Sequence, residues 1–435
     1  MKKHRIIALL CVATLLSGCG NAATPAKNDS HNIDKIVATQ ESDSKINASE
    51  QTKIIVSEQI DKKINKSEQE DESIINKING SEDAKEMQKE NNSKSQNDWN
   101  YFEKGLNIVN AADNAENFCL SPLSMDFALA IAANGANNDT HAEYENYFGE
   151  SIDSYNAFIL DYMENSDALI NNNLFVNANY ALTQDYQNRV QEYLALTPEN
   201  IVFNSDGQAY INSWISNNTN HLLNNSAPSL DNSMQAVLVN TIYFNKPWQT
   251  AFTSTRMDDF YKDANTIVDA TYMNGTAEYY ININEGEWTG FAKDYDERYQ
   301  FIALVSDSYD ISYSVDFNEV FENMYEVETD IAMPKFSFTT HSELNPVLDK
   351  LGFSKLLTGL DNIIENRPLY IDTLYQDCVI TVDENGTEAA AATIGTLKTV
   401  SFVENPSVTL DKPFIFVIYD TAYNVPLFIG SVSNP

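Results

Sequence analysis

Apolar positions divide the chain into three regimes. Ile6 to Leu16 form one short apolar run preceded by Lys2, Lys3 and Arg5. The run is too short to span a bilayer as a permanent helix and reads as an export signal. Residues 20–97 are rich in Asn, Ser, Lys, Glu and Gln and nearly devoid of aromatics. Such a tract cannot bury enough surface to offset its ordering entropy. A degenerate unit recurs there (KINASEQ at 45, KINKSEQ at 63, KINGSED at 77) without a fixed period, which predicts a flexible stalk reaching roughly 50 Å. From Asp98 the pattern becomes periodic. Phe102, Leu106, Ile108 and Val109 lie near one face of a predicted amphipathic helix. Ser124–Ala133 predicts a buried helix capped by Ser121 or Ser124. Strand-like runs follow at Asn173–Val176, Gln235–Phe244, Thr329–Phe336, Cys378–Val382 and Pro413–Tyr419. Helices cluster early and strands late, so residues 98–435 are expected to form an α+β domain.

Composition sharpens this division. The 435 residues, 43% of them hydrophobic, suffice for one large domain or two ordinary ones. The net charge of -36 is uneven: residues 1–97 hold 14 basic and 15 acidic residues, leaving -35 on 98–435. That field repels phosphates and sulfated glycans and attracts basic partners, so neither nucleic acid nor a heparin-type glycan is expected as a ligand. The apolar run ends in Leu16-Ser17-Gly18-Cys19, which resembles the lipobox of bacterial lipoproteins. The resemblance implies cleavage before Cys19, lipidation of its sulfur, and a domain tethered outside a bacterial membrane rather than spanning it. Cys11 would leave with the signal. Cys119 and Cys378 remain, either as a pair or as buried thiols.

Enzyme chemistry finds little support. His4 and His31 fall in the signal and stalk, and His141, His221 and His341 lack paired-ligand spacing. No G-x-S-x-G elbow occurs. Asp383-Glu-Asn-Gly386 has its glycine at the wrong place for a calcium loop. No metal or cofactor is therefore expected. The stretch Asp383-Glu-Asn-Gly-Thr-Glu-Ala-Ala-Ala-Ala-Thr393 could begin a helix with Thr387 as N-cap, but strand-like residues precede it and Gly395 follows closely. Read as a strand, one parity gives Thr387, Ala389, Ala391, Thr393 and Gly395, all small and uncharged. The other gives Glu388, Ala390, Ala392, Ile394 and Thr396, with the single charge. Such a segment could enter a sheet with its small face against a crowded interior.

Several motifs in order resemble the serpin family. Glu384–Thr393 is similar to the proximal hinge of inhibitory members. Asn117-Phe-Cys-Leu-Ser-Pro-Leu-Ser124, Gly135–Thr140, Leu238–Phe244 with Trp248, Met333-Pro-Lys-Phe336, Leu351-Gly352, and Lys412-Pro-Phe414 through Asn434-Pro435 resemble further family blocks. The similarity covers residues 98–435. It implies three β-sheets with about nine helices and an exposed reactive-centre loop. It further implies a monomeric, non-enzymatic inhibitor that traps a serine protease as an acyl-enzyme, by inserting the cleaved loop into the large sheet.

The resemblance also assigns residues. The hinge is Glu384, Gly386, Thr387, Glu388, Ala389, Ala390, Ala391, Ala392 and Thr393. Counting sixteen residues from Glu384 places the reactive bond at Val400–Ser401, a bait for elastase-like proteases; counting back from Lys412-Pro413-Phe414 favours Phe402 and a chymotrypsin-like target, and a shorter loop would offer Lys398 to trypsin-like enzymes. A cysteine-protease target remains open. Ser121, Ser124 and Asn240 match residues that control sheet opening, and Trp248 matches the tryptophan where insertion begins. Gln376 stands where the family commonly has histidine, and can hydrogen-bond without gaining charge. The alternatives are a non-inhibitory serpin-fold binding protein and an acidic hydrolase.

Overall fold

The computed structural model describes residues 101–112, 117–283, 287–306, 308–309, 311, 315–387 and 405–435. Cys19, the hinge from Glu388 to Thr393, and Lys398, Val400, Ser401 and Phe402 lie outside these residues.

Helices lead the described part. α1 (Tyr101–Ala111) buries Phe102, Leu106, Ile108 and Val109, and β1 (Asn117–Leu120) follows. α2 (Pro122–Ala133) starts with proline, whose fixed φ suits the first turn, and is capped by Ser121, whose Oγ accepts from Ser124 N at 3.2 Å. α3 (Asn138–Phe148), α4 (Ile152–Asn165), α5 (Gln184–Leu194) and α6 (Ser205–Asn218) begin at Asn137, Ser151, Thr183 and Asn204, each accepting a backbone N–H of its first turn. β2 (Leu169–Asn177) and β3 (Glu199–Ile201) are interleaved with them.

Strands then dominate: β4 (Ala236–Tyr243), β5 (Lys246–Pro247), β6 (Ser254–Asp263), β7 (Thr266–Ile283), β8 (Trp288–Asp294) and β9 (Tyr299–Ser306). After α7 (Phe317–Glu322) come β10 (Met324–Pro334) and β11 (Phe336–Glu343), then α8 (Asn345–Lys350) and a 3-10 turn (Ser354–Leu357). The chain ends with β12 (Thr373–Asp383), β13 (Gly386–Thr387), β14 (Ser407–Thr409), β15 (Phe414–Asp420) and β16 (Val425–Val432). The run Thr329–Phe336 thus divides into two strands at Lys335, one in each sheet.

Two hydrogen-bonded networks result. A nine-stranded sheet runs β1-β16-β15-β9-β8-β7-β10-β14, with β6 on β7. It holds two of the three expected sheets in one network, because the 18-residue β7 pairs with β6 through its first half and with β8 through its last residues. The other sheet has seven strands: β3, β2, β4, β12, β13 and β5, with β11 on the far edge of β12. Among the described residues there are eight α-helices beside the 3-10 turn, near the nine expected.

Every residue of α2 is buried, Asp126 included. An isolated carboxylate there would be prohibitively costly, so it must be paired. Lys104 Nζ meets Asp126 Oδ2 at 2.6 Å, Tyr147 donates to Oδ1 at 2.7 Å, and Tyr155 donates to Oδ2 at 3.3 Å. The ammonium also sits 3.9 Å from the Tyr147 ring centroid. Burial holds the Lys104 pKa below its ordinary value, against the upward pull of Asp126. Removing one partner of such a pair leaves an uncompensated buried charge. Asp126→Ala is therefore expected to lower native stability by about 3–5 kcal/mol, read from the urea unfolding midpoint, with part regained in the double variant Lys104→Met/Asp126→Leu.

Candidate functional site: the seam between β4 and β12

The seven-stranded sheet contains one seam where distant parts of the chain meet in parallel. β12 pairs with β4 from Thr373–Val237 to Cys378–Ile242. Above that point the same edge of β12 takes a different partner. The chain turns at Glu384–Asn385 and returns as β13, antiparallel to β12, with Val382 opposite Thr387 and Asp383 opposite Gly386. β13 also pairs with β5, Gly386 opposite Pro247. The start of the hinge is thus wedged between β12 and the continuation of β4. Gly386 takes φ 155°, a conformation L side chains rarely adopt.

Aromatic packing holds this wedge. Thr387 is buried and shares a 2.5 Å hydrogen bond with the Tyr295 hydroxyl. Tyr295 stacks on Trp248, with centroids 4.4 Å apart and planes 9° from parallel. Trp248 Nε1 donates to Asp383 O at 2.9 Å, and its backbone N–H to Asn385 O at 2.9 Å. Burial pushes the Tyr295 phenol far above its usual pKa, so it stays neutral. Outside the wedge Lys335 and Glu384 form an ion pair. Its hydrogen bond holds the Glu384 carboxyl below its ordinary range, though both groups are about one-third exposed and the pair contributes little.

Below the wedge a buried polar network ties the seam to α2. Gln376 of β12 accepts the Ser121 N–H at 2.8 Å, and its amide donates to Ser121 O at 3.0 Å and Asn240 Oδ1 at 2.6 Å. Asn240 of β4 donates to Ser124 O at 2.8 Å and also bonds Ser124 Oγ and Asn172 Oδ1. Ser121, Ser124, Gln376 and Asn240 have essentially no exposure. Buried amides left unpaired would be costly, and here both are satisfied across the seam. Cys378 donates its thiol to Gln376 Oε1 at 3.3 Å. Cys119 and Cys378 are free buried thiols, and burial, with contact from Cys378, pushes the Cys119 pKa up.

On the outer face Asp377 is fully buried and accepts from His341 Nδ1 at 2.6 Å. Burial raises the Asp377 pKa, opposed by His341. The structure therefore assembles two groups of the residues singled out above: Ser121, Ser124, Asn240 and Gln376 in the network, and Glu384, Gly386, Thr387 and Trp248 at the wedge. Sequence reasoning missed Tyr295, Lys335 and Asn172. Lys335 lies within the quoted Met333–Phe336 block; the other two have no local signal. No cluster of metal-ligating side chains occurs among the described residues.

The chain is similar to known proteins in sequence and fold. The serpin (serine protease inhibitor) family profile matches residues 104–435. Serine proteinase inhibitor A3K of Cavia porcellus is 27% identical, covering 75% of this chain and 86% of its own. A serpin-like protein of Thermococcus kodakarensis is 28% identical, covering 74% and 82%. Among solved structures, the thermophilic serpin tengpin in its native state superposes with a TM-score of 0.70 at 26% identity, over 78% of this chain and 94% of that one. Human thyroxine-binding globulin complexed with its thyroxine ligand superposes at a TM-score of 0.69 and 21% identity, over 77% and 99%, a likeness of fold alone. The chain belongs to the serpin family.

Proposed function

We propose that the chain is a suicide-substrate inhibitor of serine proteases, exported and lipid-anchored through Cys19 at a bacterial surface, whose hinge inserts between β4 and β12. The observation that carries this reading is the wedge itself. Extending the register of β13 along β12 puts Ala389 opposite Ile380, Ala391 opposite Cys378, Thr393 opposite Gln376 and Gly395 opposite Leu374. Opposed residues share a face, and Leu374, Gln376, Cys378, Ile380 and Val382 all face the interior. Only small side chains would enter the core. Glu388 would fall opposite Thr381, which is half-buried on the outer face. Insertion would replace one parallel pairing with two antiparallel ones, which are more stable per residue.

In the reaction a protease serine attacks the Val400 carbonyl. The Val400–Ser401 bond breaks, an ester forms on the protease, and the departing Ser401 amine takes the proton. Insertion must outrun hydrolysis of that ester. The unmade strand pairing is the energy store, and the Gln376–Asn240 network is the barrier that keeps the seam closed until cleavage. Val400 suits the shallow pocket of elastase-like enzymes; Phe402 and Lys398 are the alternatives for chymotrypsin-like and trypsin-like targets.

Two outcomes are expected. Thr387→Arg places a charge where Thr387 is buried against Tyr295, which costs several kcal/mol unless paired. This variant should be cleaved without trapping protease, and a denaturing gel showing an undiminished covalent complex would refute insertion along this register. Incubated with an elastase-type serine protease, the wild-type protein should yield a band of summed mass, with a released fragment beginning at Ser401. Cleavage with neither that band nor a gain in thermal stability would favour the non-inhibitory binding protein.

A further inference from the structure

We propose that Asn385 is a self-modifying site, which converts to aspartate and isoaspartate by attack of the Gly386 backbone nitrogen and thereby loosens the wedge. Asparagine is chemically labile, most of all before glycine, where no side chain shields the following amide. The side-chain carbonyl carbon must swing onto that nitrogen, so hydrogen bonds that fix either group slow the reaction.

Three Asn-Gly pairs lie among the described residues, and they differ in how firmly they are held. Asn134 is buried at the end of α2. Its Nδ2 donates to Ala130 O at 2.8 Å, and its Oδ1 accepts from Asn156 at 2.9 Å and from Arg189 at 2.7 Å. The next amide, Gly135 N–H, donates to Ala132 O at 2.9 Å. Asn274 lies within β7, where its Oδ1 accepts from Arg256, its backbone carbonyl accepts the Thr253 N–H at 2.8 Å, and Gly275 pairs opposite Ile331. Asn385 sits instead in the turn between β12 and β13. It is half-buried, and its side chain makes no hydrogen bond among the described residues. Gly386 N–H donates to Asp383 Oδ1 at a long 3.3 Å. A carboxylate therefore stands beside the nitrogen, placed to accept the proton it sheds on attack.

The reaction needs only water. The Gly386 nitrogen bonds to Asn385 Cγ, the Cγ–Nδ2 bond breaks, and ammonia departs with the proton. Water then opens the cyclic imide at either carbonyl. Opening at Cγ gives aspartate, and opening at the backbone carbonyl leaves the chain running through the side chain as isoaspartate. Either product adds a negative charge beside Asp383 and Glu384. Isoaspartate also lengthens the backbone by one carbon, about 1.5 Å, ahead of Gly386. Trp248 N–H then loses the peptide carbonyl that it meets at 2.9 Å, and Gly386 and Thr387 no longer fall opposite Asp383 and Val382. A loss of protease trapping with age would follow, and that consequence alone rests on the proposed insertion.

The test incubates the full chain, folded, at mildly alkaline pH and follows each Asn-Gly peptide by mass and by isoaspartyl methyltransferase labelling. Asn385 should convert at least about tenfold faster than Asn134 or Asn274. The rate should rise with pH, because the attacking amide must lose its proton, and in urea the three rates should converge. The thermal unfolding midpoint should fall in step with conversion at Asn385. Asn385→Gln, whose longer side chain closes its ring slowly, should hold its own starting midpoint through the same incubation; if this variant fails to fold, the comparison within the wild-type chain decides. None of these readouts involves a protease, so failure of the inhibitory reading leaves them intact. The proposal is overturned if folded Asn385 converts no faster than Asn274, or if the converted protein unfolds at the same temperature as the fresh one.

Discussion

The fold turns on one pairing, the parallel contact of β4 and β12 inside the seven-stranded sheet. Its strands are far apart in the chain, Val237 opposite Thr373 and Ile242 opposite Cys378, and both are buried on the inner face. An apolar seam would be held by packing alone, which resists sliding weakly because side-chain contacts can be exchanged. Here Gln376 and Asn240 bond each other and the first turn of α2. Hydrogen bonds are directional, and parting the strands would strand several buried donors and acceptors at about 1–3 kcal/mol each. The network therefore adds a barrier to opening larger than its net contribution to stability, since the same groups would find water or new partners once the seam had opened.

At the upper end the same edge of β12 is occupied by β13, so the sheet is parted there and closed below. The residues around the transition match their positions. Trp248 and Tyr295 fill the space beneath the turn as rigid stacked rings, while Gly386 supplies the backbone conformation and Thr387 a side chain small enough to lie beside them. On the inhibitory reading the transition point moves down the seam as a zipper, and each step exchanges one strand pairing for two. Gln376 then lies where Thr393 would arrive, so the new strand would meet the network with a hydroxyl able to bond a displaced amide.

Much of this was legible in sequence where the signal is local. The stripe of α1, the capped apolar run of α2 and the strand content of β4 and β12 follow from periodicity and end residues, and each forms in the structure. The alternation of small residues also put Thr387 on an inward face, and it is buried. What remained hidden is set by long-range pairing. Thr329–Phe336 reads as one strand because its apolar run resumes at Phe336 directly after Pro334–Lys335, yet the chain changes sheets there, with Lys335 N donating to Thr271 O at 2.8 Å. Tyr295 is one tyrosine among 23, and nothing near it in sequence announces a bond to Thr387. Nothing near Lys104 or Asp126 in sequence announces their pairing, which forms only when α1 packs against α2.

The charge imbalance has a structural meaning beyond solubility. Of the 13 basic residues in 98–435, several are spent on specific pairs. Lys104 neutralises Asp126 within the helical layer and Arg298 pairs with the fully buried Asp420 at 2.6 Å, while Lys246 bridges the exposed Asp167 and Asp296 nearer the surface at 2.7 and 2.8 Å. Such cations cannot also screen the surface carboxylates. The scarcity of lysine and arginine therefore leaves the outer field negative while the interior remains locally neutral, because a buried charge must be paired and a surface charge need not be. Self-repulsion among the surface carboxylates opposes compaction, and salt screens it at separations beyond about 8–10 Å. The internal pairs are shielded from that screening, so added salt relieves the repulsion while weakening the pairs far less.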